Sequence, residues 1–67
     1  MEPNLYLIRA TTVDGIILFE YAGRGMTQVE SSWKWYEAFV LQADDGAIVQ
    51  LISVADDLVI GETIVGS

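Results

Sequence analysis

The side chains able to do acid–base chemistry in this chain are almost all carboxylates. Ten Asp and Glu residues stand against three Lys and Arg, and there is no His. The densest groups are two adjacent pairs, Asp44-Asp45 and Asp56-Asp57. General acid–base catalysis needs two carboxylates close together in unlike environments, whereas neighbours in sequence point their side chains apart. Aspartates of this kind are typical of turns. We therefore predict no catalytic residue and no enzymatic activity.

Metal and cofactor sites are not predicted either. Neither acid pair has the spaced acids of a calcium-binding EF-hand loop, and the lack of Cys and His removes the usual zinc ligands. Ser31 and Ser32 have no His to activate them as nucleophiles. The stretch GRGMTQ, residues 23–28, supplies two glycines of a dinucleotide-binding fingerprint but no third.

The length of 67 residues allows one small domain, residues 1–67. A chain this short buries about 60 % of its unfolded surface, so its stability is marginal without disulfides, metals or association. Because the sequence has no Cys, association is the source of extra stability that remains. The hydrophobic share of 52 % is high for so small a soluble domain.

The net charge of −7 limits the partners. It opposes direct binding to nucleic acid or to an anionic membrane. It suits both simple solubility and a protein partner with a basic surface. No apolar stretch approaches the ~20 residues of a membrane span, and the start MEPNLYLIR does not resemble a secretory signal. We expect a cytoplasmic protein, in the host cytoplasm if the chain is phage-encoded.

Turn signals divide the chain into apolar runs. Asp14-Gly15 lies between two runs rich in β-branched and aromatic residues, which predicts antiparallel strands over 4–12 and 16–22. A second turn, ADDG at 43–46, leads into the run AIVQLISV. The closing run LVIGETIV predicts a last strand, with Gly61 at a bulge or close contact.

Residues 28–43 fit two structures. A helix is favoured by the capping-box pattern of Thr27 and Glu30 and by the Glu30–Lys34 spacing. A strand over 33–43 is favoured by its Trp, Tyr, Phe and Val content and by the turn that follows. On the strand interpretation the fold is all-β, a five-stranded antiparallel meander forming a curled sheet or barrel. The alternative is α+β, a four-stranded antiparallel sheet with one helix at about 28–43.

Apolar residues occupy both faces of several predicted strands. Ile16 and Leu18 share one face of the second strand, while Ile17 and Phe19 share the other. A domain of this size hides one such face easily and two with difficulty. We expect a helix, a second copy in a homodimer, or a protein partner to cover the remaining face.

Five residues are predicted to bind a partner. Asp14, Asp44 and Asp45 are expected at one end of the meander, and Trp35 or Tyr36 is expected to anchor the contact, with Tyr36 the more exposed ring. The expected function is that of a small acidic, non-enzymatic inhibitor whose carboxylates replace phosphates on a basic nucleic-acid-binding surface. In size and charge the chain is similar to phage anti-defence (anti-CRISPR-like) proteins. No motif supports this likeness. The alternative is a self-associating structural or assembly subunit.

Overall fold

The computed structural model describes residues 5–66, which form one antiparallel sheet and one α-helix. The strands are ordered β2-β1-β3-β4, so that two hairpins are joined through the pairing of β1 with β3. The elements in chain order are β1 (Tyr6–Thr11), β2 (Ile17–Tyr21), a 3-10 turn (Arg24–Thr27), α1 (Val29–Gln42), β3 (Ile48–Ser53) and β4 (Leu58–Ile64).

The prediction of an all-β, five-stranded meander is wrong, and the α+β alternative is confirmed. Residues 29–42 form a helix although their ring content favours a strand. Ser32 and Tyr36, one helical turn apart, are both buried. Phe39 and Val40, one turn further on, are half-buried. This spacing gives α1 one apolar stripe, and the burial of that stripe outweighs local strand preference.

Successive turns of α1 pack on successive rows of the sheet, where a row is a set of paired residues across the four strands. Tyr21, Ile8, Leu51 and Gly61 lie side by side across the four strands. Two rings of α1 lie against the outer ends of this row. Trp35 packs on Tyr21 with ring centroids 5.2 Å apart, and the ring of Trp33 lies over Gly61.

The next row is covered by the next turn of the helix. Phe19, Ala10, Val49 and Thr63 lie side by side. Phe39 contacts Phe19 at a centroid distance of 5.1 Å. The Tyr36 hydroxyl is 2.6 Å from the Thr63 hydroxyl. Trp35 and Phe39 are four residues apart, a rise of about 6.0 Å along the helix, and same-face residues of a strand are ~6.8 Å apart, so the two rings reach neighbouring rows.

The lack of a side chain at Gly61 allows the Trp33 ring to pack directly on the sheet. A Cβ atom at this position would lie 2.7 Å from the Trp33 ring, closer than real contacts allow. The register of β3 with β4 also shifts beside it, between Leu51 and Ile52. The sequence prediction that Gly61 marks a bulge or close contact is therefore confirmed.

The predicted Asp14-Gly15 hairpin is confirmed as well. The amide of Gly15 donates to the Thr12 carbonyl at 3.0 Å, and the amide of Thr12 donates to the Ile16 carbonyl at 2.9 Å. Gly15 has a φ of +88°, which glycine adopts without strain.

The start of α1 differs from the predicted capping box. Thr27 belongs to the preceding 3-10 turn, where its hydroxyl donates to the Arg24 carbonyl at 3.2 Å. The N-cap residue is Gln28, which makes no side-chain capping bond. Glu30 forms no ion pair with Lys34. Within residues 5–66, the ion pair present joins Arg9 to Glu20.

The Tyr36 hydroxyl provides a test of how α1 is fixed to β4. Tyr36→Phe is expected to lower the free energy of unfolding by about 0.5–1.5 kcal/mol, because a part-buried hydrogen bond to Thr63 is lost. Urea denaturation followed by far-ultraviolet circular dichroism measures the change. Tyr6→Phe is the matched control, since the Tyr6 hydroxyl has no partner within residues 5–66. Equal stability of the two variants would contradict this account.

Candidate protein-interaction surface

The sheet has one covered face and one open face. α1 packs on the covered face, where the buried residues Ile8, Ala10, Val49 and Leu51 lie. No other element among residues 5–66 packs on the opposite side. We call this side the open face; the strand register assigns to it Leu7, Arg9, Thr11, Ile17, Glu20, Ile48, Gln50, Ile52, Val59, Glu62 and Ile64. Of these residues, Ile52 is buried.

A row of polar residues crosses the open face. Arg9 pairs with Glu20 on β2 through a nitrogen–oxygen distance of 2.9 Å. On the other side, the Gln50 amide donates to the Glu62 carboxylate at 2.7 Å. Since Arg9 and Gln50 are themselves neighbours, the four side chains form a continuous line across the strands. This line divides the apolar residues of the open face into two groups.

Four exposed aliphatic side chains lie together at the β1–β2 hairpin. Val13 is 76 % exposed and Ile16 is 63 % exposed, and Ile17 and Leu18 are also exposed. We call Val13, Ile16, Ile17 and Leu18 the hairpin tip. It extends past the contact of Phe19 with α1, so the helix does not cover it. Contiguous exposed aliphatic side chains of this kind are typical of interaction sites.

Three aspartates lie at the same end of the sheet as the hairpin tip. Thr11 at the end of β1 pairs with Ile48 at the start of β3. The β1–β2 turn and the α1–β3 loop therefore leave the sheet at one end. Asp14, Asp44 and Asp45 are all exposed there, and none forms an ion pair within the described residues. We call these three residues the acidic end.

The α1–β3 loop is held in place by backbone hydrogen bonds. The Gly46 amide donates to the Val65 carbonyl at 2.8 Å, and the Val65 amide donates to the Ala47 carbonyl at 2.9 Å. Gly46 has a φ of +89°, in the region that glycine adopts readily. Asp44 and Asp45 are thus presented by an ordered loop that is tied to the residue after β4.

The second aspartate pair lies at the opposite end of the sheet. Asp56 and Asp57 lie in the β3–β4 turn, and the Ser53 hydroxyl donates to the Asp56 carboxylate at 3.2 Å. Asp57 has a φ of +51°, a conformation that Asp tolerates better than most residues. This pair has a local role in its turn that the acidic end lacks.

The two predicted aromatic anchors have different surroundings. Tyr36 is 6 % exposed, so the prediction of an exposed ring is wrong; the helix turns this side chain into the core. Trp35 is 41 % exposed, but one side of its ring packs on Tyr21 and Gly25. Because Tyr21 ends β2 away from the hairpin tip, the structure separates Trp35 from the acidic end. The role of Trp35 as an anchor remains a prediction.

Sequence reasoning missed the aliphatic residues of the hairpin tip as site residues. The signal was present, since the turn residues Asp14-Gly15 are flanked by the apolar Val13 and Ile16. Their exposure depends on where α1 crosses the sheet. That position cannot be inferred when residues 33–43 are interpreted as a strand.

A shallow pocket of about 320 Å³ lies between α1 and β4. Its lining consists of Tyr36, Glu37, Val40, Leu41 and Thr63. Four of these residues belong to the second half of α1, and Thr63 lies near the end of β4. The pocket is therefore at the same end of the sheet as Asp44 and Asp45.

Two further properties of the described residues bear on function. Across residues 5–66, no three carboxylates come together in a way that would hold a metal ion. In the same part of the chain, no helix combines the length and the apolar character that a membrane span requires.

Comparison of the chain with protein-family models, curated proteins and solved structures gives no match.

The hairpin tip should be dispensable for folding. Val13→Ser and Ile16→Thr are each expected to change the free energy of unfolding by less than about 0.5 kcal/mol, since both side chains are exposed. Ile8→Ala, in the core, is expected to cost about 2–5 kcal/mol. Chemical denaturation of the three variants gives the comparison. A loss of several kcal/mol in the tip variants would show that these residues serve the fold.

Proposed function

We propose that this chain is a small acidic, non-enzymatic protein-binding domain that docks through the hairpin tip and the acidic end. The observation that carries the proposal is the position of exposed aliphatic side chains beside three aspartates that lack ion-pair partners in residues 5–66. An apolar patch rimmed by charges of one sign is suited to a partner with an apolar cleft between Lys and Arg residues.

The two parts of the surface contribute differently to binding. Full burial of one Val, Ile or Leu side chain is worth about 1.5–3 kcal/mol, so the hairpin tip supplies affinity. The aspartates are exposed and fixed by ordered turns, so they mainly set the orientation and the rate of association. An Asp at the rim also repels acidic surfaces, and this selects for a basic partner.

The narrower proposal concerns the class of partner. In it, the carboxylates of the acidic end take the positions of phosphates on a basic nucleic-acid-binding surface, and the protein acts as an inhibitor of phage anti-defence (anti-CRISPR-like) type. The net charge of −7 supports this, and so does the distribution of cations. Arg9 is paired with Glu20, and Arg24 follows the end of β2 that lies away from Asp14.

The charge requirement is testable with matched variants. Asp14→Asn/Asp44→Asn/Asp45→Asn is expected to weaken binding to the partner roughly tenfold, if each exposed charge contributes about 0.5 kcal/mol. The partner is first isolated by affinity purification from the native host and then produced pure. Calorimetry at low and high salt measures binding, and a gel-shift assay measures displacement of nucleic acid from the partner.

The control is Asp56→Asn/Asp57→Asn, which removes neighbouring charges at the opposite end of the sheet while keeping side chains that suit its turn. This variant should bind as the native chain does. Equal weakening by both sets would indicate a general charge effect. Unchanged affinity in the first set would refute the docking role of the acidic end.

Self-association is the second candidate function, and the open face favours it. Ile17, Val59 and Ile64 are exposed there, beside the half-buried Leu7 and Ile48. A homodimer or larger assembly of this chain would bury these residues. Because every copy carries a charge of −7, salt should strengthen such an assembly, whereas salt weakens docking on a basic partner.

Sedimentation equilibrium over a range of protein and salt concentrations distinguishes the two candidates. If the open face forms a dimer, Val59→Lys is expected to shift the chain to monomer, because it places a cation among aliphatic side chains. Lys34→Ala, on the opposite side of the molecule, is the control. A native chain that is monomeric at every concentration excludes self-association as the function.

A further inference from the structure

The pocket between α1 and β4 has a consistent chemical character. Val40 and Leu41 form apolar walls, and Leu41 is 85 % exposed with nothing in residues 5–66 packed over it. The hydroxyl groups of Tyr36 and Thr63 lie in the lining, 2.6 Å apart. Glu37 adds an exposed carboxylate at the rim. The pocket thus combines an apolar wall with oxygen atoms that accept hydrogen bonds.

Its electrostatics favour a cation. Glu37 forms no ion pair within the described residues. The last turn of α1 contains no basic residue, so the negative end of the helix dipole is not offset from within the helix. The neighbouring loop adds Asp44 and Asp45. None of the residues that line the pocket carries a positive charge.

We infer that this pocket receives an arginine side chain of the protein partner. The methylene stem of an arginine lies against Val40 and Leu41, and its guanidinium donates hydrogen bonds to the Glu37 carboxylate. A planar guanidinium fits a carboxylate through two parallel bonds, which an ammonium group cannot form. The hydroxyl oxygen atoms of Tyr36 and Thr63 are further acceptors.

The inference rests on the proposed function, because it adds a contact at the same end of the sheet as the proposed docking surface. The pocket lies at the same end of the sheet as Asp44 and Asp45, so a basic surface that docks at this end can also present an arginine side chain to Glu37. The hairpin tip would then bury aliphatic residues while the pocket sets the register of the partner.

The test uses small probes, and therefore does not depend on the partner. N-acetyl-arginine methylamide is titrated into the ¹⁵N-labelled native chain, and amide shifts are followed by NMR. We expect saturable shifts centred on residues 36–41 and on Thr63. The citrulline analogue has the same shape without the charge, and it should bind roughly two- to five-fold more weakly, the effect of one exposed ion pair. The lysine analogue should also bind more weakly.

Two variants separate a specific contact from general attraction. Glu37→Gln should weaken arginine binding to the level of citrulline, and Glu30→Gln, in the first turn of α1, should leave it unchanged. Absence of saturable shifts, equal binding of citrulline, or shifts centred on Asp14 and Asp44 would overturn the inference. Failure of the partner-binding experiment, with arginine still held at Glu37, would refute the proposed function alone.

Discussion

The packing of a single helix against a four-stranded sheet determines which surfaces this protein has available. α1 can cover one face only, and it does so with two turns that match two rows of the sheet. Tyr36 provides the central contact, since it is buried and its hydroxyl is bonded to Thr63. The open face, apart from the buried Ile52, and the hairpin tip are left to solvent as a direct result. In so short a chain, the exposed apolar surface follows from the number of elements as much as from composition.

The sequence was sufficient to predict the strands and turns, because their signals are local. Asp14-Gly15 specifies a hairpin by its own conformational preferences, and Gly61 marks its close contact by the lack of a side chain. The helix was harder, since Trp33, Trp35 and Tyr36 favour strands individually. Their spacing became decisive only through the sheet beneath them, which is a tertiary effect. The wrong assignment of this element to a strand also made the predicted exposure of Tyr36 wrong. Neighbouring side chains alternate between two faces in a strand but are spread around the axis of a helix, so the two structures expose Tyr36 differently.

Placement of the acidic residues was less sensitive to that error. Asp14 and Asp44 were expected at one end of a meander, and the structure also brings them to one end. A helix, like a strand, carries the chain back along the length of the sheet. The next turn therefore forms at the same end of the sheet in both topologies. The aliphatic residues beside these acids depend instead on the exact path of α1, and pattern alone did not single them out.

The net charge of this protein counteracts the tendency of its exposed apolar surface to aggregate. An exposed hairpin tip with Val13 and Ile16 would promote aggregation in a neutral protein, whereas a net charge of −7 keeps copies apart. The same repulsion acts against a homodimer through the open face and disappears when the partner is basic. Such a surface selects partners by their charge. It repels its own copies and nucleic acid, which are also negative, and it can bind a protein that carries Lys and Arg around an apolar cleft. This asymmetry is the physical reason to rank docking on a basic partner above self-assembly.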